Sequence, residues 1–254
     1  MLGAIVGDIV GSIYESHNHR SKDFELFQES SHFTDDTILT IATADALMTD
    51  RDFASKYRSY GARYPAGYGG FFRRWIHDET AGPYNSFGNG SAMRVSPVAW
   101  FDDKEHRVME LAKRSAEVTH NHPEGIKGAQ ATAMAILWAR LGVPRSRIRR
   151  DIERQFEYDL STSVDELRET YRHNETCQGT VPEAIRCFLE ADGFEDAIRN
   201  AISIGGDSDT LAAITGSIAE GKWGVPEEIR SEALGRLDEG LFVAYRTFVS
   251  RAAH

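Results

Sequence analysis

The sequence of 254 residues predicts an all-α fold, and three observations carry that expectation. No run of residues alternates apolar and polar side chains over the length of a strand. Apolar residues recur instead at helical spacing, as over residues 234–248. Two acidic turns, Thr34-Asp35-Asp36-Thr37 and Gly205-Gly206-Asp207-Ser208-Asp209-Thr210, each lead into a stretch of small and apolar residues that reads as a helix.

The first predicted helix covers residues 2–15. Gly3, Gly7 and Gly11 recur every four positions in it, a spacing that lets another backbone approach closely at a cost in helix propensity. Asp8, Ser12 and Glu15 share a second face of that helix, and Leu2, Ile5, Val6, Ile9, Val10 and Ile13 surround it. A carboxylate buried among such residues needs a metal, a cation or a hydroxyl as partner. Residues 16–33 read as a polar loop whose His17 and His19 are assigned no role.

Helices are expected over residues 34–48 and 52–60. The stretch from Tyr64 through Gly67, Tyr68, Gly69 and Gly70 is too rich in glycine to be helical and precedes a helix over residues 71–76. A second loop, Asn85-Ser86-Phe87-Gly88-Asn89-Gly90-Ser91, leads into Ala92-Met93-Arg94. One such loop is an ordinary connection between helices. Two, each at a helix start and both between the acidic turns, fit backbone cradles for a diphosphate, and Phe87 is suited to stack on a base or to pack in the core.

Thr119-His120 precedes a helix over residues 125–141. The basic cluster at residues 145–150 reads as a solvated helix face. Further helices are expected over 181–191, opened by Pro182, and over 195–204, followed by amphipathic segments from Pro226 and over 234–248. No linker, repeat or low-complexity tract divides the chain, so one domain over residues 1–254 is expected.

Thr and Asp cap helices, and acids in the first turn offset the helix dipole, so either acidic turn alone is explained by capping. Paired Asp residues repel and exceed what capping requires. Brought together, Asp35, Asp36, Asp207 and Asp209 supply four carboxylates, with Thr34 and Thr210 adding neutral oxygens. Such a hard, oxygen-only set is neutralised by two divalent cations and suits Mg²⁺ or Mn²⁺, not Zn²⁺. The two turns are therefore expected to form one dinuclear metal site.

The formal net charge of -10 argues against a protein that grips nucleic acid or an anionic membrane through phosphate contacts. The longest apolar run, at the N-terminal end, is interrupted by Asp8 and too short to span a bilayer. With no positively charged start to that run, a cytoplasmic protein is expected. Cys177 and Cys187 lack zinc-type spacing and are expected to be reduced, with Cys187 buried on a helix.

Taken together, Gly7-Asp8 with Glu15, Phe33-Thr34-Asp35-Asp36-Thr37, Gly88-Asn89-Gly90-Ser91-Ala92-Met93-Arg94, Thr119-His120 and Gly205-Gly206-Asp207-Ser208-Asp209-Thr210 resemble the motifs of the ADP-ribosylglycohydrolase family in order and spacing. The resemblance implies a compact orthogonal helical bundle with two Mg²⁺ ions, sometimes Mn²⁺, in a cleft. It implies metal ligation by Thr34, Asp35, Asp36, Asp207, Asp209 and Thr210. It also implies ADP-ribose bound along Gly69, Gly70, Ser86, Phe87, Gly88, Asn89 and Gly90, with His120 nearby. Glu15 matches a glutamate at the metal site that is implicated in catalysis in some branches of the family. The first glycine-rich loop lacks the acids of the arginine-directed nitrogenase branch, and its wording looks closer to the branch acting on O-linked ADP-ribose.

The expected activity is Mg²⁺-dependent hydrolysis at the ribosyl anomeric carbon, releasing ADP-ribose from modified side chains or an O-linked ester. A carboxylate near the oxocarbenium-like centre assists such a reaction; Glu15 is the candidate acid/base, and Asp36 a ligand that also orients water. The alternatives are an ADP-ribose-binding protein without activity and a metal phosphohydrolase that cuts the diphosphate.

Overall fold

A computed structural model describes residues 1–252, and these are helical with no strand among them. The order is α1 (Leu2–Gly11), α2 (Asp35–Met48), α3 (Phe53–Arg63), α4 (Gly70–Ile76), α5 (Gly90–Met93), α6 (Val98–Phe101), α7 (Glu105–Glu117) and α8 (Pro123–Arg140). It continues with α9 (Arg145–Phe156), α10 (Val164–Thr170), α11 (Cys177–Glu190), α12 (Phe194–Ser203), α13 (Ser208–Trp223), α14 (Glu227–Gly235) and α15 (Glu239–Ala252). A lone bridge pairs Gly88 with Thr176. No helix among the described residues is long and apolar enough to cross a membrane. Cys177 and Cys187 are both free and buried.

The centre of the molecule is the pair α1 and α13, the most extensive helix contact in the fold. Every residue of α1 is buried. Its glycine stripe is the reason the two helices meet backbone to backbone. A Cβ on Gly3 would lie 2.0 Å from the Gly216 carbonyl oxygen, one on Gly7 2.0 Å from that of Ala212, and one on Gly11 2.4 Å from the Asp209 Cα. No side chain fits in those spaces. Helices α8, α11 and α12 pack against α13, and α2 against α1, so both acidic turns open at the same end of the central pair.

Five of these elements depart from expectation. The first helix stops at Gly11, not at residue 15, because the Ser12 hydroxyl donates back to the Ile9 carbonyl at 2.9 Å and the Tyr14 amide tightens onto Gly11 at 2.8 Å. Asp8, Ser12 and Glu15 therefore do not form one helical stripe, and Glu15 lies beyond the helix on the surface. Helix α11 starts at Cys177 and carries Pro182 inside it. The Thr176 hydroxyl caps it by accepting the Gly179 amide at 3.2 Å, so the helix opens five residues before Pro182, and burial of Val181, Pro182, Ala184 and Ile185 holds the proline inside it. Helix α8 begins at Pro123, where the His122 Nδ1 accepts the Glu124 amide at 3.1 Å. Helices α7 and α10 lie where the sequence reading predicts none; α10 opens on a capping box between Ser163 and Glu166.

Candidate active site

The N-terminus of α2 is stapled to α1 by a single carboxylate. Asp8, fully buried, accepts the Thr34 amide at 2.9 Å, the Thr34 hydroxyl at 2.6 Å and the Thr37 amide at 3.0 Å. The Thr34 oxygen in turn accepts the Asp36 amide at 3.3 Å, so Thr34 does cap the helix. Asp35 and Asp36 stand in the first turn.

Across from them, Gly205 and Gly206 adopt φ of +68° and +84°, the left-handed region that glycine enters without strain. This turn is braced by the polar loop of residues 16–33. Asn18 accepts the Gly206 amide at 2.5 Å, and the Arg20 guanidinium donates to the carbonyls of Ile204, Arg168 and Tyr171 at 2.6–2.8 Å. The sequence assigns that loop no role; Asn18 and Arg20 are its structural contribution.

Because α1 brings Asp8 and α13 brings Asp209, carboxylate oxygens of Asp8, Asp36 and Asp209 lie within 4.8 Å of one another, all three residues buried. Thr210 donates to Asp36 at 3.5 Å. Burial first, and then the neighbouring aspartates, hold the Asp36 and Asp209 carboxyls well above the usual carboxylate range. Burial and the charge of Asp8 push Asp35 up to about 7. Burial also raises Asp8, against the hydrogen bonds from Thr34 and Thr37. One oxygen of this set, Asp36 Oδ1, is buried without any hydrogen-bond partner. A carboxylate oxygen in that state fits a hard cation, and the whole donor set is oxygen.

The second glycine-rich loop is joined to both sides of the site. Asn89 donates its side-chain amide to Asp207 at 2.6 Å and its backbone amide to the Glu175 carbonyl at 2.8 Å, while the Cys177 amide donates to Phe87 at 2.9 Å. His120, buried, faces this loop: a Cβ on Gly90 would lie 3.3 Å from its Nε2. Burial, with the nearby Arg94 charge, holds the His120 imidazole well below its ordinary value, so it is neutral.

These parts surround a cleft of about 450 Å³. Its lining includes Glu15, Asp35, Asp36, Gly69, Gly70, Ser86, Gly88, Asn89, Gly90, His120, Asp207, Asp209 and Thr210. Of the residues singled out in the sequence, Thr34 and Phe87 are not in that wall. The Thr34 hydroxyl is occupied at the helix cap, and Phe87 is 43% exposed and packs on His122 with ring centroids 5.2 Å apart. Glu15 lies at the lip, its carboxyl raised by partial burial and by Asp207. Arg94, Tyr84, Arg73 and Glu175 also line the cleft and were not singled out as site residues. Only Arg94, within the second loop motif, has a sequence signal. A second hollow, of about 540 Å³ beside Met48, Phe101 and Phe248, holds none of the acidic residues of the two turns.

Residues 1–251 match the family model described as ADP-ribosylglycohydrolase. The chain belongs to the ADP-ribosylglycohydrolase family. Among its relatives, the ADP-ribosylhydrolase ARH3 of Mus musculus is 24% identical over 92% of this chain and 86% of that protein. The ADP-ribosyl-[dinitrogen reductase] glycohydrolase of Rhodospirillum rubrum is also 24% identical, over 93% and 88%. A solved structure titled ADP-ribosylglycohydrolase-related protein complex superposes with a TM-score of 0.71 at 23% identity, covering 96% of both chains, which establishes the shared all-α fold. This ADP-ribosylglycohydrolase is thus an enzyme that hydrolyses ADP-ribosyl linkages, and its substrate carries ADP-ribose.

Proposed function

We propose that residues 1–254 act as one Mg²⁺-dependent catalytic unit that cleaves the ribosyl anomeric bond of ADP-ribosylated side chains or O-linked ADP-ribose and releases ADP-ribose. The observation that carries this reading is the unpartnered Asp36 Oδ1, at the floor of the same cleft whose walls are the two glycine-rich loops. Asp35, Asp36, Asp207, Asp209 and Thr210 would hold the cations, with the remaining lone pair of Thr34; Asp8 supports the set from behind. When bound, two divalent cations anchor the ribose hydroxyls and lower the pKa of water, and Mn²⁺ suits the same oxygens.

The chain's own residues do the rest. The backbone amides of Gly69 and Gly70 on one wall, and of Gly90 with the Ser86 hydroxyl on the other, offer donors for a diphosphate, while the Gly88 and Asn89 amides hold the second loop in shape through Ser86 Oγ and the Glu175 carbonyl. The wall glycines Gly69 and Gly70 leave open space above the backbone, so phosphate oxygens can come close. Asn89, held on Asp207, keeps the phosphate side in register with the acidic floor. Phe87, exposed at the rim, offers a face to the adenine.

Glu15, at the lip with a raised carboxyl, is suited to protonate the leaving oxygen or nitrogen, and Asp36 to orient the attacking water. The first loop carries no acid among residues 64–72, which favours an O-linked substrate over ADP-ribosylated arginine.

Product analysis with ADP-ribosylated serine, ADP-ribosylated arginine and O-acetyl-ADP-ribose, with and without Mg²⁺, tests the reading. Release of ADP-ribose that stops on chelation is the expected result. AMP and ribose phosphate would make the enzyme a diphosphate hydrolase, and binding of ADP-ribose with no turnover of any of the three would leave a binding protein.

A further inference from the structure

The hollow of about 540 Å³ lies at the far end of α2 from the acidic floor, and its size is within the range of small-molecule pockets. It shares no lining residue with the cleft. Because α2 runs from Asp35 to Met48 and rises about 1.5 Å per residue, the hollow stands about 20 Å from the paired aspartates.

Leu47 and Phe248, both buried, form the apolar side of the hollow, with Met48 and Phe101 half-buried beside them. Arg51 and Arg251 form the polar side. Neither arginine makes an ion pair with a carboxylate among the described residues, although the chain carries a net charge of -10.

The acid nearest in sequence is spent elsewhere. Asp50 Oδ1 accepts the Asp52 amide at 3.0 Å and the Thr49 hydroxyl at 3.3 Å. Arg51 itself has φ of +61°, in the left-handed region that a non-glycine residue enters at a cost, and its amide donates to the Ala46 carbonyl at 2.9 Å. Its guanidinium carbon lies 5.6 Å from the Phe101 ring centroid, at the polar edge of the apolar wall. Arg251 reaches across from α15 and donates to the Met48 carbonyl at 3.3 Å, which offsets the negative end of the α2 dipole. A guanidinium has five donor hydrogens, so both arginines keep donors for a ligand.

Charge selects that ligand. With Asp50 beside the two arginines, the lining carries one excess positive charge. A carboxylate closes this balance, whereas a phosphate monoester, with nearly two negative charges, exceeds it. We propose that the hollow binds a small amphipathic carboxylate, its charged end on Arg51 and Arg251 and its hydrocarbon or aromatic body on Leu47, Met48, Phe101 and Phe248. The paired N–H groups of a guanidinium match a carboxylate in geometry. This site is separate from the cleft and does not depend on how the cleft is read.

Octanoate serves as the probe, in calorimetric titrations of the full chain at low ionic strength. One saturable site is expected for octanoate, with octanol, which has the same chain length and no charge, at least tenfold weaker, and octyl phosphate weaker than octanoate. Arg51→Asn removes the guanidinium but keeps a residue that tolerates the left-handed region, and Arg251→Gln changes an exposed side chain. Each should weaken octanoate about tenfold, the scale of a hydrogen bond to a charged group, and the double variant should bind it no better than octanol. Arg150→Gln, on the exposed face of α9, is the control and should change nothing. Saturating ADP-ribose should leave the octanoate affinity unchanged.

No saturable binding of octanoate to the wild type would overturn the proposal. Octanol binding as tightly as octanoate, or full affinity in a double variant that melts like the wild type, would reduce the hollow to an apolar surface that reads no charge. Octyl phosphate binding more tightly would overturn the choice of a carboxylate, and displacement of octanoate by ADP-ribose would put the probe in the cleft instead.

Discussion

Replacing Gly7 by alanine tests how the fold builds the site. The added methyl would lie 2.0 Å from the Ala212 carbonyl oxygen and 2.5 Å from the Ala213 amide nitrogen, whereas ordinary contact begins near 3.4 Å. Both obstacles are backbone at buried positions of α13 and cannot swing aside as a side chain would. Helices α1 and α13 must therefore separate by about 1.4 Å, at a cost at the upper end of the roughly 1–3 kcal/mol typical of overpacking. Alanine returns up to about 1 kcal/mol through helix propensity, leaving a net loss of about 2 kcal/mol. Asp8 is the next residue, so the same displacement draws it from Thr34 and Thr37 and widens the cluster with Asp36 and Asp209. Urea unfolding reads the stability, and the Mg²⁺-induced rise in melting temperature reads the cluster; both should fall. Gly235→Ala is the control, because nothing lies within 4 Å of its added carbon and it should be neutral or slightly stabilising. If Gly7→Ala were as stable as the wild type and responded to Mg²⁺ in full, the close approach of α1 and α13 would not be what assembles the site.

Three further outcomes are expected. In the metal-free protein the Asp35, Asp36 and Asp209 carboxyls sit above their unfolded range near 4, so their stabilisation is complete below pH 4 and is lost as pH rises above that range, for Asp35 through about 7. Asp35's own share of that loss is at most about 4 kcal/mol; the melting temperature in EDTA should fall over this window, and Mg²⁺ should restore more of it at pH 7 than at pH 5, whereas a gap independent of pH would count against the cluster. Glu15→Gln should bind ADP-ribose within a few-fold of wild type but turn over about 10²-fold more slowly, and single-turnover kinetics showing no loss would move the acid/base role to an aspartate. Gly90→Val should weaken ADP-ribose binding itself, since even a first carbon there presses on His120 at 3.3 Å, and unchanged calorimetric affinity would remove the loop from the binding site.

The all-α class and both halves of the site were legible in the sequence because they are local. Asp35-Asp36 and Asp207-Asp209 mark helix starts by capping chemistry, the paired charge exceeds what a cap needs, and a four-residue glycine period announces a close helix contact whatever its partner. Other features depend on neighbours that no local pattern names. The end of α1 at Gly11, which sets Glu15 free of the helix, is decided by the Ser12 hydroxyl turning back on Ile9 while it accepts the His32 amide. The engagement of Thr34 by Asp8, the bracing of Gly206 by Asn18, and the bond from Asn89 to Asp207 each join residues far apart in the chain. Arg94 is the sharpest case: as a residue it reads as a surface cation, and only the packing of α5 among α2, α7 and α8 buries it against Tyr57 and Thr119. The sequence by itself determined which groups are chemically suited to a candidate site, because charge, hardness and helix periodicity belong to residues and their near neighbours. Tertiary structure alone decided which oxygen is left without a partner, because hydrogen-bond satisfaction belongs to the whole set of groups that folding brings within 3 Å.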